Sequence, residues 1–157
     1  MKQNKVFERP TLRSRSLRKF YSAKDKTMND CIFCKISKEE IPSAKVYEDA
    51  GFFAFLDINP VSNGHLLIIP KKHIVWMQEA DDETISEIFK LAKRLILVVK
   101  NGTGCDYVQV SVAGTDVPHF HVHLIPRYFN DNFSKFPTKK YTDREMEEIA
   151  KKIISAL

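Results

Sequence analysis

The sequence predicts an α+β domain built on one five-stranded antiparallel sheet, with one long central helix and a C-terminal helix. Five short strand-like runs are joined mainly by short connections, and two longer segments repeat apolar residues with a helical period. The predicted strands cover residues 45–48, 52–56, 65–69, 107–112 and 117–125.

Turn residues separate the predicted strands. Asp49-Ala50-Gly51 joins the first two strands as a hairpin, the loop 59–64 precedes the third, and Pro70 closes it. A short helix or turn over residues 31–37 ends before Pro42, because proline blocks its continuation.

Capping residues mark both helices. Acidic residues from Asp81 onward cap a helix over 81–100, which the segment 101–104 stops with two glycines. Thr142 and Glu145 form a capping box for a last helix over 143–156. We expect two apolar faces to pack inward: Ile85, Ile88, Leu91, Ala92 and Leu95 in the first helix, and Ile149, Ile153 and Ile154 in the last.

Composition indicates one folded domain. At 157 residues and 43% hydrophobic content the chain can bury a single core, and no apolar run approaches the ~18 residues of a membrane span. The net charge of +5 arises in residues 1–27, where nine Lys or Arg oppose Glu8 and Asp25. The remaining residues hold 16 basic and 18 acidic side chains, a net charge of −2, which does not suit a nucleic-acid-binding domain.

We therefore expect residues 1–27 to be a basic, disordered extension and residues 28–157 to be the domain. An organellar transit peptide and a start set upstream of Met28 are alternatives for the extension, which is rich in Arg and Ser. The expected location is cytoplasmic, or organellar with a transit peptide. No membrane partner is expected, and nucleic acid is expected only through the extension.

Three cysteines are too few for a disulfide framework, and two of them form Cys31-x-x-Cys34. This usage suits a reducing compartment and a metal or redox role for the pair. A thioredoxin-like role is disfavoured, because nothing strand-like precedes Cys31. Cys105 is expected to be a small buried or loop residue.

Three histidines alternate with apolar residues near the end of the last predicted strand. His119, His121 and His123 would share one face, and the opposite face would bury Phe120, Val122 and Leu124. The outer histidines would lie about 13 Å apart, so one metal does not easily take all three. We expect divided roles, with one end binding a metal or holding the backbone, the middle meeting a substrate, and the last orienting or moving a proton. A His-rich exposed strand without a task is the alternative.

This stretch, His119 to Arg127, resembles the signature of the histidine triad nucleotide hydrolases and transferases. Segments 31–36, 55–58 and 64–73 resemble blocks of the nucleotide-binding branch in the same order, so the resemblance covers about residues 30–127. It implies the HIT-like fold, and a homodimer that joins two sheets into one.

The resemblance implies a structural zinc site at Cys31, Cys34, His73 and His119. Two thiolates would neutralise Zn²⁺, and a closed structural site has four ligands. Reduced cysteines without a ligand and a redox pair remain alternatives.

The resemblance also implies a purine nucleotide site. An ionised aspartate in an apolar run needs partners, and Asp57 would accept the ribose hydroxyls; a turn-initiating aspartate is the alternative. The residues that correspond to the walls around the base are Ile32, Phe33, Ile36, Phe55, Leu56 and Ile58, and a plain core role is the alternative for each.

The loop before the histidines is expected to hold the phosphate through backbone N–H groups. It contains Gly114, Thr115, Asp116 and Val117. The family usually has glutamine and then a small residue where this chain has Thr115 and Asp116, so a long phosphate donor is lost and a negative charge is added. These departures bear on rate and substrate more than on reaction class.

The implied reaction is substitution at the α-phosphorus of purine nucleoside phosphoramidates or dinucleoside polyphosphates. His121 would attack, and water would release a nucleoside monophosphate from the nucleotidyl-histidine. His119 and His123 would orient and stabilise, and His65 would fix the tautomer of His121. The alternatives are a catalytically weak nucleotide-binding regulatory module and a metalloenzyme whose paired histidines hold a catalytic metal.

Overall fold

The structure, a computed structural model, describes residues 30–131 and 138–157. The extension 1–27 lies outside the described residues and stays a prediction. The helices within the described residues are α1 (Ile32–Ser37), α2 (Asp82–Thr103) and α3 (Glu145–Ile154), and the strands are β1 (Lys45–Glu48), β2 (Phe52–Leu56), β3 (Leu66–Pro70), β4 (Tyr107–Ser111) and β5 (Val122–Arg127). None of these helices is long and apolar enough to cross a membrane.

The five strands form one sheet in the order β1-β2-β3-β5-β4, and every neighbouring pair is antiparallel. The sequence-based fold class is therefore confirmed. β3 and β5 are central, with Leu66 opposite Leu124 and Leu67 opposite His123. Of the catalytic candidates, His123 thus lies on an interior strand, where both neighbouring strands hold the backbone, and His65 comes directly before β3.

The two faces of the sheet bury different sets of residues because side chains alternate along each strand. On one face, Phe52 and Ala54 of β2 join a core with α2. On the other face, Phe53 and Phe55 join a second core with the residues of α1. His123 shares the α1 face with its partner Leu67, so the candidate site is on that face.

Capping residues mark both ends of the central helix α2. The side chain of Asp81 accepts a hydrogen bond from the backbone N–H of Thr84 at 2.7 Å. The helix continues three residues beyond the predicted Lys100, and Gly104 ends it in the left-handed conformation at φ 68°. The predicted apolar face is confirmed, with Ile88, Leu91, Ala92 and Leu95 buried and Ile85 partly buried.

The last strand begins later than predicted. β5 covers Val122–Arg127 instead of 117–125, so His119 and His121 precede it. Phe120 is nevertheless buried, and its N–H donates to the carbonyl of Ile74 at 2.6 Å. Proline has no backbone N–H to donate to a neighbouring strand, yet Pro126 does not end β5. The pairing of β5 with β3 ends at Leu124, so no hydrogen bond to β3 is lost at Pro126.

The expectation that the last helix packs inward is wrong. Ile153 and Ile154 are 63% and 65% exposed, Ile149 is only partly buried, and no residue of α3 is buried. The predicted capping box is only half formed: Glu145 accepts hydrogen bonds from the backbone N–H and the hydroxyl of Thr142, but the helix begins at Glu145 with Arg144 as its N-cap and has no side-chain cap. The apolar period correctly predicted a helix, but it carries no information about which surface covers its face.

Candidate functional site

Four side chains from three segments converge beside α1. The Sγ of Cys31 lies 3.4 Å from the Nδ1 of His119, and the Sγ of Cys34 lies 3.5 Å from the same atom and 3.3 Å from the Nδ1 of His73. All four ligand atoms lie within 4.8 Å of one another. Two thiols and two imidazoles at these distances fit a tetrahedral metal site.

The tautomer of His119 suits this cluster. Its Nε2–H donates to the carbonyl of Pro70 at 2.8 Å, so its Nδ1 presents a lone pair to the two thiols. Burial lowers the pKa of His119 to about 4 and keeps the ring neutral. Burial and the neighbouring Cys31 raise the pKa of Cys34 to about 12. A divalent cation would reverse this preference for the thiol, because it binds the thiolate.

The backbone of His119 contacts the next histidine of the row. The Nδ1–H of His121 donates to the carbonyl oxygen of His119 at 2.6 Å. A carbonyl only accepts, so the proton is on Nδ1, and Nε2 retains its lone pair. Burial lowers the pKa of His121, although this hydrogen bond and the charges of Asp116 and Asp57 act in the opposite direction. A neutral imidazole with an unprotonated Nε2 is a competent nucleophile.

His65 contacts His123 and not His121. The two rings meet at 2.9 Å between the Nε2 of His65 and the Nδ1 of His123. Since the Nδ1 of His65 accepts from the N–H of Val61 at 3.3 Å, its Nε2–H is the donor and the proton of His123 is on Nε2. The expected role of His65 is therefore corrected: its hydrogen bond determines the tautomer of His123, and the carbonyl of His119 determines that of His121.

Asp57 has both a turn contact and a site contact. Its Oδ1 accepts from the N–H of Asn59 at 2.8 Å, as a turn-initiating aspartate does. Its Oδ2 lies 3.5 Å from the Nδ1 of His65. Burial lowers the pKa of His65, and Asp57 opposes that shift. Asp57 therefore initiates a turn through Oδ1, and this does not prevent Oδ2 from accepting a hydrogen bond from a ligand.

The residues predicted to surround the base divide into a buried and an exposed group. Phe33, Ile36 and Phe55 are buried, and the ring of Phe33 meets that of His121 edge-on at 5.1 Å. The exposed side chains are Ile32, Leu56 and Ile58, of which Ile58 is 87% exposed. The buried group forms a fixed apolar wall beside His121, and the exposed group lies open to a ligand.

The loop before the histidines lies beside His121. Gly114 and Val117 are partly buried, and Thr115 and Asp116 are exposed. The charge of Asp116 acts to raise the pKa of His121, against the larger effect of burial.

Sequence reasoning missed Trp76. Its ring lies where a side chain at Gly114 would project, and it lines a cleft that His121 also lines. Trp76 is the one tryptophan of the chain and comes three residues after His73 of the Cys/His cluster. This closeness in sequence to a predicted metal ligand could have indicated that Trp76 lies near the site.

The HIT domain model matches residues 38–130. The chain belongs to the HIT domain family. The crystal structure of a HIT family member from Bacillus subtilis is 36% identical with a TM-score of 0.72, and covers 82% of this chain and 97% of that one.

Two further relatives bear on chemistry. The adenosine 5′-monophosphoramidase HNT1 of Saccharomyces cerevisiae is 44% identical over 99 residues, covering 62% of each chain. A zinc-bound histidine triad family protein from Mycobacterium smegmatis is 27% identical with a TM-score of 0.65, and covers 83% of this chain and 100% of that one. The family and its HIT-like fold are thus established for this chain.

Acid should destabilise the fold through His123, which is partly buried. Burial, followed by His121 and His65, lowers the pKa of His123 from 6.5 to about 4, so the unfolded chain takes up the proton first as pH falls. This contribution to stability is complete above pH 6.5 and is lost progressively towards pH 4. We expect it to be about 1 kcal/mol, less than the full shift implies, because the side chain is partly exposed.

The free energy of unfolding is measured with urea at about pH 7 and at about pH 5, for the wild type and for His123→Gln. Comparing the decrease between the two pH values removes any difference in stability that the substitution causes at neutral pH. The loss should be smaller in His123→Gln than in the wild type. Equal losses would show that His123 titrates normally in the folded protein.

Proposed function

We propose that this chain is a nucleotide hydrolase that acts at the α-phosphorus of purine nucleoside phosphoramidates or dinucleoside polyphosphates. The observation that carries the proposal is the 2.6 Å hydrogen bond from the Nδ1–H of His121 to the carbonyl of His119, which leaves Nε2 free to attack. The name of the similar yeast protein, adenosine 5′-monophosphoramidase, supports the same reaction class.

The reaction has two displacements. The Nε2 lone pair of His121 forms a bond to phosphorus while the bond from phosphorus to the leaving group breaks, and the departing amine takes a proton from solvent. Water then attacks the same phosphorus and gives up a proton to solvent, the bond to Nε2 breaks, and the nucleoside monophosphate leaves. The Nε2–H of His123 and backbone N–H groups of the loop 114–117 stabilise the charge that develops on the phosphoryl oxygens.

Replacing His121 should abolish covalent catalysis. His121→Ala should lower kcat by at least about 10³ and retain most nucleotide binding, because a nucleophile acts mainly on the transition state. Intact-protein mass spectrometry of the wild type mixed with an adenosine phosphoramidate should show a transient adduct of one nucleoside monophosphate, and the variant should show none. His123→Ala should be less severe. An active His121→Ala protein would exclude this mechanism.

We propose that the carboxylate of Asp57 accepts the ribose hydroxyls. It is partly buried, and its Oδ2 lies 3.5 Å from the Nδ1 of His65. Charge-assisted hydrogen bonds to two hydroxyls would offset its desolvation on ligand binding.

Substituting Asp57 should affect the sugar and leave the turn intact. Asp57→Asn keeps Oδ1 as the acceptor for Asn59 and removes the charge, so adenosine monophosphate should bind more weakly by about 1–3 kcal/mol with little loss of stability. The 2′,3′-dideoxy nucleotide should bind the wild type and the variant alike in calorimetry. If the variant weakens both nucleotides equally, Asp57 does not contact the ribose.

We propose that Cys31, Cys34, His73 and His119 hold a structural zinc ion. The four donor types, their mutual distances and the hydrogen bond that orients His119 suit zinc. Bound metal would tie α1 to the segment that carries the catalytic histidines and would neutralise two thiolates.

Metal analysis should find about one zinc per chain, since four protein ligands complete one structural site. Cys34→Ser should lose the metal and lower the Tm, because metal binding contributes folding free energy. Cys105→Ser is the matched control, since Cys105 is also buried but is outside the cluster. Carefully reduced wild-type protein without metal, or equal loss in both variants, would contradict the assignment.

We propose that two chains form a homodimer through the β4 side of the sheet. β4 is an edge strand, and Tyr107, Val110 and Val112 on or beside it are 41–42% exposed. Exposed apolar residues on an edge strand favour pairing with another chain. Light scattering that gives a monomer mass at micromolar concentration would contradict this assembly.

A further inference from the structure

A cleft of about 290 Å³ adjoins His121, and most of its residues have no task in the proposed reaction. One wall is formed by the segment 75–78, which contains Trp76 and Met77, and the other by Val112, Ala113 and Gly114. Phe120 and His121 complete the lining. The proposed nucleophile therefore borders two spaces, this cleft and the nucleoside side with Phe33.

Trp76 is held against the loop that is proposed to bind phosphate. A Cβ atom added to Gly114 would lie 3.3 Å from Cζ3 and 3.6 Å from Cε3 of Trp76, so the ring occupies the space into which a side chain at this position would project. The indole therefore lies directly beside the loop that is proposed to bind phosphate.

The cleft is separate from the residues that are predicted to surround the base. None of the predicted base-contacting residues lines the cleft, and His121 is the residue common to both. A nucleotide whose base packs near Phe33 would thus leave the cleft available to the other substituent on phosphorus.

The chemistry of the lining selects the kind of substituent. Among the described residues that line the cleft there is no Lys or Arg, and Gln78 and His121 are its polar side chains. A polyphosphate would therefore have no cationic partner there. An apolar ring suits these walls, and a cavity of about 150 Å³ is already sufficient for benzene.

We propose that this cleft is the leaving-group subsite, that it accepts the aromatic or branched apolar body of an amine, and that Trp76 determines this specificity. The inference rests on the proposed function, because it takes His121 as the nucleophile. Attack in line places the leaving nitrogen opposite Nε2 of His121, so the substituent turns back past Gly114 to enter the cleft. A short methylene linker permits that turn.

Kinetics with two matched substrates test the subsite. The adenosine phosphoramidate of phenethylamine should have a kcat/KM about tenfold or more above that of methylamine, the scale expected for burying one ring. The difference should lie mainly in KM, since the ring is bound equally before and during the reaction. Trp76→Ala should reduce the ratio to within about threefold, and Trp76→Phe should preserve most of it. Phe129→Ala removes an aromatic side chain that is 84% exposed and absent from the cleft, and is the control.

Fluorescence gives a readout that is independent of turnover. Trp76 is the one tryptophan of the chain, so its emission reports on the cleft alone. Adenosine 5′-carbamates of the two amines contain no phosphorus and are not substrates of this reaction. The phenethyl carbamate should change the emission of the wild-type protein at a concentration about tenfold lower than the methyl carbamate.

The outcomes separate the two proposals. If both phosphoramidates are hydrolysed through the adduct with equal kcat/KM, the subsite is wrong and the hydrolase proposal stands. If neither is hydrolysed, the hydrolase proposal fails, and the carbamate titration decides whether the cleft binds the apolar group. Equal emission changes for the two carbamates would overturn the subsite in either case.

Discussion

The hydrogen bond between the ring of His121 and the carbonyl of His119 is the contact on which the candidate site depends. At 2.6 Å and buried on both sides, it fixes which nitrogen of His121 carries the proton. His119 also directs its own Nδ1 towards Cys31 and Cys34, because Pro70 holds its Nε2–H. One residue therefore joins the metal-type cluster to the proposed nucleophile, through its ring on one side and its backbone on the other.

The candidate site and the apolar core with α2 lie on opposite faces of the sheet. α2 covers one face with a continuous apolar cluster, and that burial stabilises the fold. The other face is covered in part by α1, whose Phe33 packs near His121 while Cys31 and Cys34 face His119. Burial on this face keeps the imidazoles neutral, so the same packing that completes the core also sets their protonation state.

The sequence predicted much of the fold because strand and helix periods are local properties. It predicted all five strands and α2, since turn residues and Asp81 mark their ends. The prediction that α3 packs inward failed, because the spacing of Ile149, Ile153 and Ile154 indicates a helix but not the surface against which its apolar face packs. The order of strands in the sheet also depends on contacts between distant residues, and such contacts leave no local pattern.

The members of the Cys/His cluster were predictable from the resemblance, and the hydrogen bonds among the histidines were not. The four members of the metal-type cluster meet as the resemblance implied. The pairing of His65 with His123 depends on the register between β3 and β5 and on the N–H of Val61, neither of which is encoded in a motif. Trp76 was missed because its contact with Gly114 joins two loops far apart in the sequence.

Nitrogen NMR of the imidazole rings tests the central claim most directly. Long-range correlations in protein labelled with ¹⁵N-histidine distinguish a protonated nitrogen from one with a free lone pair, and His121→Gln assigns the signal. The account predicts that His121 at neutral pH is neutral, with the proton on Nδ1 and Nε2 unprotonated. A proton on Nε2, or an imidazolium at neutral pH, would contradict it.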